Sequence, residues 1–168
     1  MVGVKAGNVC NTDLPKISVL IATFEREKLV RQTIKALTEH DYPKFEVIVV
    51  DQTPHPSYEF LEYVKSLGKD YKYIRLDKPR LALAENIAIA NASGEIVLFL
   101  DDDVIIDPNL LRAHAENYLD PTIGGVSGYV IRPGQVPVPD ANKFVPVQDP
   151  YWVQFPHHYT GRIATKSA

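Results

Sequence analysis

The chain has 168 residues, of which 45% are hydrophobic and 23% are charged, so it is long enough to bury the core of one domain. Its formal net charge of −3 gives no general attraction to nucleic acid or to an anionic membrane, and no nucleic-acid partner is expected. The lone cysteine, Cys10, excludes an internal disulfide and a cysteine-rich zinc site.

Strands and helices are predicted to alternate along the chain. Uninterrupted β-branched runs indicate buried strands, and the apolar residues Leu29, Val30, Ile34 and Leu37 have helical spacing. The predicted strands cover residues 17–23, 45–51, 71–76, 95–101 and 124–132. The predicted helices cover residues 26–40, 57–68, 80–94 and 108–118, with Ser57 as an N-cap and Gly68 past a helix end.

This alternation predicts an α/β fold, with a mostly parallel, Rossmann-like sheet covered by helices on both faces. We expect an N-terminal extension over residues 1–14 and a core domain over 15–132. Residues 133–168 contain six prolines and no clear helical pattern, which predicts an irregular, proline-rich tail.

Apolar runs about five residues long are far short of the roughly 20 residues that a membrane helix needs. The first 15 residues also lack the apolar stretch of a signal peptide. The sequence therefore predicts no transmembrane segment in this chain. It predicts a cytoplasmic location, or association with a membrane as part of a longer protein.

Polar residues follow three of the predicted strands at the edge where a parallel sheet binds ligands. The first strand runs into Thr23, Phe24 and Glu25, the second ends at Asp51, and the fourth ends in the triplet Asp101–Asp103. Three adjacent carboxylates repel one another, so the triplet is either a solvated turn or a site for a cation. Its position at the ligand edge favours the cation.

Four segments together resemble the N-terminal, donor-binding half of a family 2 glycosyltransferase with the GT-A fold. They are "ISVLIATFERE", "FEVIVVDQT", "AENIAIANASGEIVLFLDDDVIIDPNLL" and "IGGVSGYV", and the resemblance covers residues 15–130. It implies inverting transfer of a sugar, of the hexosyl type, from a nucleotide-diphosphate donor that we expect to be a UDP-sugar. It also implies Mg²⁺ or Mn²⁺ as cofactor and a glycan, lipid or protein acceptor. On this resemblance the tail over residues 133–168 is expected to be the start of a truncated acceptor region.

The same resemblance assigns roles to the aspartates, whose triplet corresponds to the family's Asp-x-Asp (DXD) motif. Asp103 is expected to bind the metal and Asp101 to face the donor ribose, with Asp101 as a second metal ligand. Asp102 is expected to share either role. Asp51 is expected to accept a hydrogen bond from the donor base.

Thr23, Phe24 and Glu25 match the family's turn beneath the nucleotide, and Arg26 follows them as it does in many members. Arg80 is a candidate contact for the base or the phosphates.

The family often has Ala-Arg-Asn-x-Gly on the helix after Arg80. Here Asn86 matches, but Glu85 replaces the arginine and Ala88 replaces the glycine. A phosphate or base contact at Glu85 is therefore not carried over.

A general base is not evident in this sequence, although inverting transfer needs one to deprotonate the acceptor. The family takes it from a Glu-Asp pair beyond the metal motif, but no glutamate follows Glu116. Asp149 is the weak candidate that remains, beside Asp120 and Asp140. A non-catalytic nucleotide-sugar-binding module, or an inactive fragment, therefore stays open as an alternative.

A haloacid dehalogenase-type phosphotransferase is a less favoured alternative. Such an enzyme carries its aspartate motif on the first strand, whereas this triplet follows the fourth. A dinucleotide-binding domain needs Gly-x-Gly-x-x-Gly after its first strand, and the sequence lacks it there.

Overall fold

The structure is a computed structural model that describes residues 14–128. The described residues fall into two compact units, one ending at Glu116 and one beginning at Asn117. The first contains, in chain order, β1 (Ile17–Thr23), α1 (Glu27–Thr38), β2 (Phe45–Asp51), α2 (Tyr58–Ser66), β3 (Tyr71–Arg75), α3 (Leu81–Asn91) and β4 (Ile96–Phe99). Helix α4 spans Leu110–Asn117.

The four strands form one parallel sheet in the order β3-β2-β1-β4. Ile17 pairs with Phe45 on one side and with Ile96 on the other, so β1 lies between β2 and β4. The chain proceeds outward from β1 to β3 and then returns to place β4 on the opposite side. The strand order therefore reverses between β1 and β4, and this is where open α/β sheets bind ligands.

Both faces of the sheet are covered. On one face, a buried cluster joins β1 and β2 to α3 through Leu20, Ile48, Val50, Ala84 and Ala88. Alternate residues point the other way, because the side-chain period of a strand is two. On that face Val19, Ile21, Val47 and Val49 are at most 2% exposed.

A polar network lies at the amino-terminal ends of β1 and β2, on the face of the sheet that α3 covers. Buried Glu46 accepts hydrogen bonds from Ser18 Oγ at 2.7 Å and from the Ser93 backbone at 2.6 Å. Lys72 Nζ lies 2.9 Å from its other carboxylate oxygen. Burial alone would raise the pKa of Glu46, but these hydrogen bonds outweigh burial and lower the pKa to about 2.

Gly94 passes close to β1 beside this network. A Cβ at this position would lie 2.6 Å from Ser18 N and 2.8 Å from Lys16 O. The backbone N–H of Gly94 donates to Ser18 Oγ at 2.8 Å. The start of β4 therefore requires glycine here because of close approach.

Most predicted elements are confirmed. The bounds of β1 and β2 agree with the prediction, while β3, β4 and the four helices begin or end one to three residues inside it. Ser57 Oγ accepts a hydrogen bond from Phe60 N at 3.1 Å, which confirms the predicted N-cap. Gly68 follows the C-cap of α2 with φ +51°, a left-handed conformation that favours glycine.

The predicted fifth strand is wrong over residues 124–128, where the structure has no strand. This stretch contains Gly124, Gly125 and Gly128, and glycine weakens a strand because it has more backbone entropy to lose and no side chain to pack. The rest of that prediction, residues 1–13 of the predicted extension over 1–14, and the tail over 133–168 lie outside the described residues. The predicted domain boundaries stay predictions.

No helix among residues 14–128 combines the length and the apolar character that crossing a bilayer requires.

Candidate functional site

An open cleft lies at the carboxyl edge of the sheet, at the point where the strand order reverses. Its volume is about 540 Å³, within the range of small-molecule sites. The ends of β1 and β2, the loop after β4 and the start of α3 all contribute to it. The lining residues are Ala22, Thr23, Phe24, Arg26, Gln52, Pro79, Arg80, Leu81, Asp101, Asp102 and Asp103.

The three aspartates of the triplet have different environments. Asp102 is 6% exposed, whereas Asp101 and Asp103 are exposed. Thr23 Oγ1 donates to Asp102 Oδ2 at 2.6 Å, and Thr33 Oγ1 donates to the Asp102 backbone carbonyl at 3.0 Å. Asp102 therefore fixes the loop after β4 to β1 and α1, while its two neighbours face the solvent.

A guanidinium lies among these carboxylates. Arg26 Nη1 lies 3.2 Å from Asp102 Oδ1 and 3.0 Å from Asp103 Oδ2. Arg26 is the N-cap residue of α1, directly after the turn that follows β1. A positive charge supplied by the chain therefore partly neutralises the triplet.

Asp51 is fully buried and does not line the cleft. Its Oδ1 accepts a hydrogen bond from Thr53 N at 2.8 Å, and its Oδ2 accepts one from Tyr73 Oη at 2.6 Å. Burial, followed by this hydrogen bond, raises the pKa of Tyr73. Asp51 thus holds the turn after β2, and its predicted contact with the donor base stays a prediction.

The turn after β1 contains a residue in an unfavourable backbone conformation. Glu25 has φ +55°, which costs a non-glycine residue about 1 kcal/mol. Its backbone N–H donates to Thr53 Oγ1 at 2.9 Å. Because Thr53 also donates to Asp51, this chain of hydrogen bonds holds the turn against β2.

Gln52 connects three of the elements around the cleft. It is buried, and its backbone N–H donates to Thr23 O at 2.9 Å. Its side-chain oxygen accepts from Arg80 N at 2.6 Å, at the start of α3. Gln52 therefore positions the backbone of Arg80.

Several residues predicted from the sequence do meet at this cleft. They are Thr23, Phe24, Arg80, Asp101, Asp102 and Asp103. Glu25, Asp51 and Asn86 are not among its lining residues, and Asn86 is exposed on α3. Glu85 lines a smaller adjoining cavity with Leu81 and Asp101.

Five residues at or near the site have no role predicted from the sequence: Arg26, Gln52, Thr33, Thr53 and Tyr73. Arg26 carried a signal, since it is a basic residue placed just beyond the end of β1. The other four are polar residues whose partners depend on packing across the sheet edge, which local sequence does not reveal.

The chemistry of the triplet fits a hard divalent cation in part. Exposed Asp101 and Asp103 offer carboxylate oxygens, and Mg²⁺ is commonly held by one or two carboxylates together with substrate phosphates and water. Residues 14–128 contain no group of three or more histidine, cysteine or acidic side chains arranged to hold a metal alone. The residues therefore fit a cation that arrives with a phosphate ligand.

Asp120, one of the weak candidates for a general base, lies in the second unit. Its Oδ1 accepts hydrogen bonds from Thr122 N at 2.9 Å and from Thr122 Oγ1 at 2.7 Å. These hydrogen bonds lower the pKa of Asp120, as expected for a turn residue. Asp140 and Asp149 lie outside the described residues.

Known proteins are similar to this chain in sequence and in architecture. Poly(ribitol-phosphate) β-N-acetylglucosaminyltransferase TarS of Staphylococcus aureus (strain Mu50) is 31% identical over 101 residues, which are 58% of this chain and 18% of TarS. Mannosyltransferase PcManGT from Pyrobaculum calidifontis, solved with GDP-Man and Mn²⁺, matches 73% of this chain and 37% of its own with a TM-score of 0.63 at 29% identity. TarS residues 1–349 with UDP-GlcNAc match 76% of this chain and 38% of their own with a TM-score of 0.59 at 27% identity.

These matches confirm the α/β fold of the GT-A type. The chain spans less than two fifths of the length of each of these relatives. The family model described as glycosyl transferase family 2 matches residues 18–162, which is most of the chain. The chain therefore belongs to glycosyl transferase family 2, and it corresponds to the N-terminal region of such enzymes.

Proposed function

We propose that this chain binds a nucleotide-diphosphate sugar together with Mg²⁺ or Mn²⁺, and that it provides the donor site for inverting transfer of the sugar. The observation that carries the proposal is the cleft at the strand-order reversal, where three carboxylates and two guanidiniums meet. Membership of the glycosyltransferase family supports the reaction class.

The charges around the cleft favour a requirement for a cation. The triplet contributes three carboxylates, against which Arg26 and Arg80 contribute two positive charges. A diphosphate entering this cleft would meet a net negative lining, and its own charge would add to the repulsion. A divalent cation between the phosphates and the triplet would reverse that balance.

We assign the metal to Asp103 first and to Asp101 second, because both carboxylates are exposed at the cleft. When bound, the cation would supply stabilisation of the negative charge that develops on the leaving diphosphate. Asp102 is held by Thr23 and Arg26, so its role is to fix the loop that carries its neighbours. Asp101 also faces the donor ribose in this assignment.

Arg80 is assigned to the diphosphate. It lines the cleft, and its backbone is fixed by Gln52. Phe24 and Thr23 form the lining of the cleft at the end of β1, where the nucleotide would rest. We also assign Asp51 to the donor base, a contact that requires its present hydrogen bonds to rearrange.

We propose UDP as the nucleotide. The TarS structure with UDP-GlcNAc supports a uridine donor, whereas PcManGT was solved with GDP-Man, which makes GDP the comparison to run. Thermal unfolding of the chain should be measured with UDP, GDP and ADP, each in the presence of Mn²⁺. We expect UDP to raise the midpoint most, and a larger shift with GDP would contradict the uridine assignment.

Catalysed transfer must be distinguished from donor binding alone, because the sequence offers only the weak candidates Asp120, Asp140 and Asp149 for a general base. Turnover of a radiolabelled UDP-sugar over glycan, lipid and peptide acceptors provides that separation. We expect the isolated chain to release sugar to water or acceptor slowly, since loss of general-base help costs about 10²–10⁴-fold. Tight donor binding without any turnover would support a binding module instead.

A further inference from the structure

The two ion pairs of Arg26 differ in how strongly they are held. Asp102 is buried, its carboxylate also accepts a hydrogen bond from Thr23 Oγ1, and its backbone carbonyl accepts one from Thr33 Oγ1. Asp103 is exposed and has Arg26 as its partner among residues 14–128. The Arg26 side chain is 53% exposed and that of Asp103 is 45% exposed. An exposed ion pair contributes little, so the Arg26–Asp103 contact is the one that can open.

The position of Arg26 also conflicts with the proposed role of Asp103. Its Nη1 lies 3.0 Å from Asp103 Oδ2, one of the two carboxylate oxygens that Asp103 can offer to a metal. A guanidinium at this position opposes the binding of a divalent cation to the same carboxylate, because the two positive charges repel each other and compete for its oxygens.

We propose that Arg26 is a built-in counter-ion that holds Asp103 in the free chain and yields it to the divalent cation when the nucleotide arrives. The inference rests on the proposed function. Arg26 keeps its contact with Asp102, so the N–H that no longer donates to Asp103 is available to donate to the diphosphate. Arg26 thus holds the Asp103 carboxylate until the cation arrives and then contacts the phosphates.

Binding of the cation and of the nucleotide should then be coupled. The cation alone must displace Arg26 from Asp103 and remain beside its charge, so it binds weakly. A diphosphate compensates both positive charges, so each ligand strengthens the other by the same factor.

The test is titration of Mn²⁺ alone, with free Mn²⁺ followed by electron paramagnetic resonance. The variant Arg26→Gln removes the charge and keeps a side chain of similar polarity. We expect it to bind Mn²⁺ about tenfold tighter than the parent chain, because a repelling unit charge a few ångströms away has been removed. Lys28→Gln is the matched control, since Lys28 is an exposed cation in the first turn of the same helix.

Arg26→Lys provides a second variant in case the glutamine variant folds poorly, which circular dichroism would show. One nitrogen of Arg26, Nη1, makes both contacts, and lysine keeps the charge on a shorter side chain, so it covers Asp103 less closely. We expect Mn²⁺ affinity about two- to fivefold above that of the parent chain. The control Lys28→Gln should change affinity by less than about twofold.

Unchanged or weaker Mn²⁺ binding in the folded Arg26 variants would overturn the inference, as would a lack of Mn²⁺ binding in every variant. A UDP titration of the parent chain with Mn²⁺ separates this failure from failure of the proposed function. If UDP binds but the Arg26 variants keep the parent affinity for Mn²⁺, the counter-ion role alone is lost. If Mn²⁺ binding tightens but UDP does not bind, the proposed function is lost and the counter-ion role stands.

Discussion

Thr23 donates a 2.6 Å hydrogen bond to Asp102, although the two residues are 79 positions apart in sequence. This bond joins the end of β1 to the loop after β4 at the point where the strand order reverses. It forms because β1 and β4 are direct neighbours in the sheet, although two strands and three helices separate them along the chain.

Loss of that hydrogen bond should be measurable as loss of stability. Thr23→Val keeps the shape of the side chain but removes its donor, which leaves a buried carboxylate short of a partner. We expect the free energy of unfolding in urea to fall by about 1–3 kcal/mol. Thr38→Val is the control, because Thr38 Oγ1 donates to Lys35 O at an exposed helix end. Equal losses in the two variants would contradict the structural role of the Thr23–Asp102 bond.

The Glu46 network makes a prediction about pH. The pKa of Glu46 is lower in the folded chain, about 2, than its ordinary value of 4.5, so the network stabilises the fold above pH 4.5. That contribution is lost as the pH falls from 4.5 towards 2. We expect Glu46→Gln to reduce the free energy of unfolding by about 1–3 kcal/mol at pH 7 and by progressively less below pH 4.5.

Urea unfolding at several pH values checks this expectation. Glu62→Gln is the control, since Glu62 forms an exposed ion pair with Lys65 on α2. A difference between the parent chain and Glu46→Gln that stays constant from pH 7 to pH 2.5 would show that the carboxylate charge is not responsible.

Alanine variants of two glycines distinguish the cost of close packing from the cost of a left-handed backbone conformation. Gly94→Ala places a methyl group 2.6 Å from Ser18 N, so the junction of β1 and β4 must shift, which should cost at least about 1–3 kcal/mol. Gly68→Ala meets nothing within 4 Å but keeps φ +51°, so its cost should be about 1 kcal/mol. Chemical denaturation measures both variants. A larger loss at Gly68 than at Gly94 would contradict the close approach.

Asp51 and Tyr73 together test base recognition. If Asp51 contacts the donor base, Asp51→Asn should weaken the binding of UDP by about 1–3 kcal/mol. Tyr73→Phe keeps the carboxylate and removes its hydroxyl partner, so it should leave UDP affinity unchanged or improve it. Calorimetric titration of both variants in the presence of Mn²⁺ gives the answer. Equal weakening in the two would mean that Asp51 acts through the turn after β2.

The fold could be predicted closely from the sequence because its signals are local. β-branched runs gave β1 and β2, and the cap at Ser57 and the glycine at position 68 gave the limits of α2. The strand at residues 124–132 is predicted as the next element in the alternation of strands and helices, but residues 124–128 contain three glycines and form no strand. Pairing with a partner strand decides such a segment, and that information is not local.

The position of the candidate site could be predicted from the sequence, but the contacts between its side chains could not. The carboxyl ends of the strands indicated where Thr23 and the triplet lie. The different burial of Asp101, Asp102 and Asp103 could not be inferred, because three adjacent identical residues give no sign of which one points inward. The partners of Asp102 and Asp51 come from other strands and helices, so they appear only once the sheet is assembled.

Calorimetric titration of UDP, once with Mn²⁺ and once with EDTA, measures whether the cleft binds the nucleotide through a metal. We expect UDP to bind in Mn²⁺ and to bind little in EDTA, and we expect Asp103→Ala to lose the metal-dependent part of the binding. The control Asp70→Ala, which removes an exposed carboxylate at the opposite edge of the sheet, should bind UDP and Mn²⁺ as the parent chain does. Equal UDP affinity with Mn²⁺ and with EDTA would contradict metal-dependent binding at the triplet.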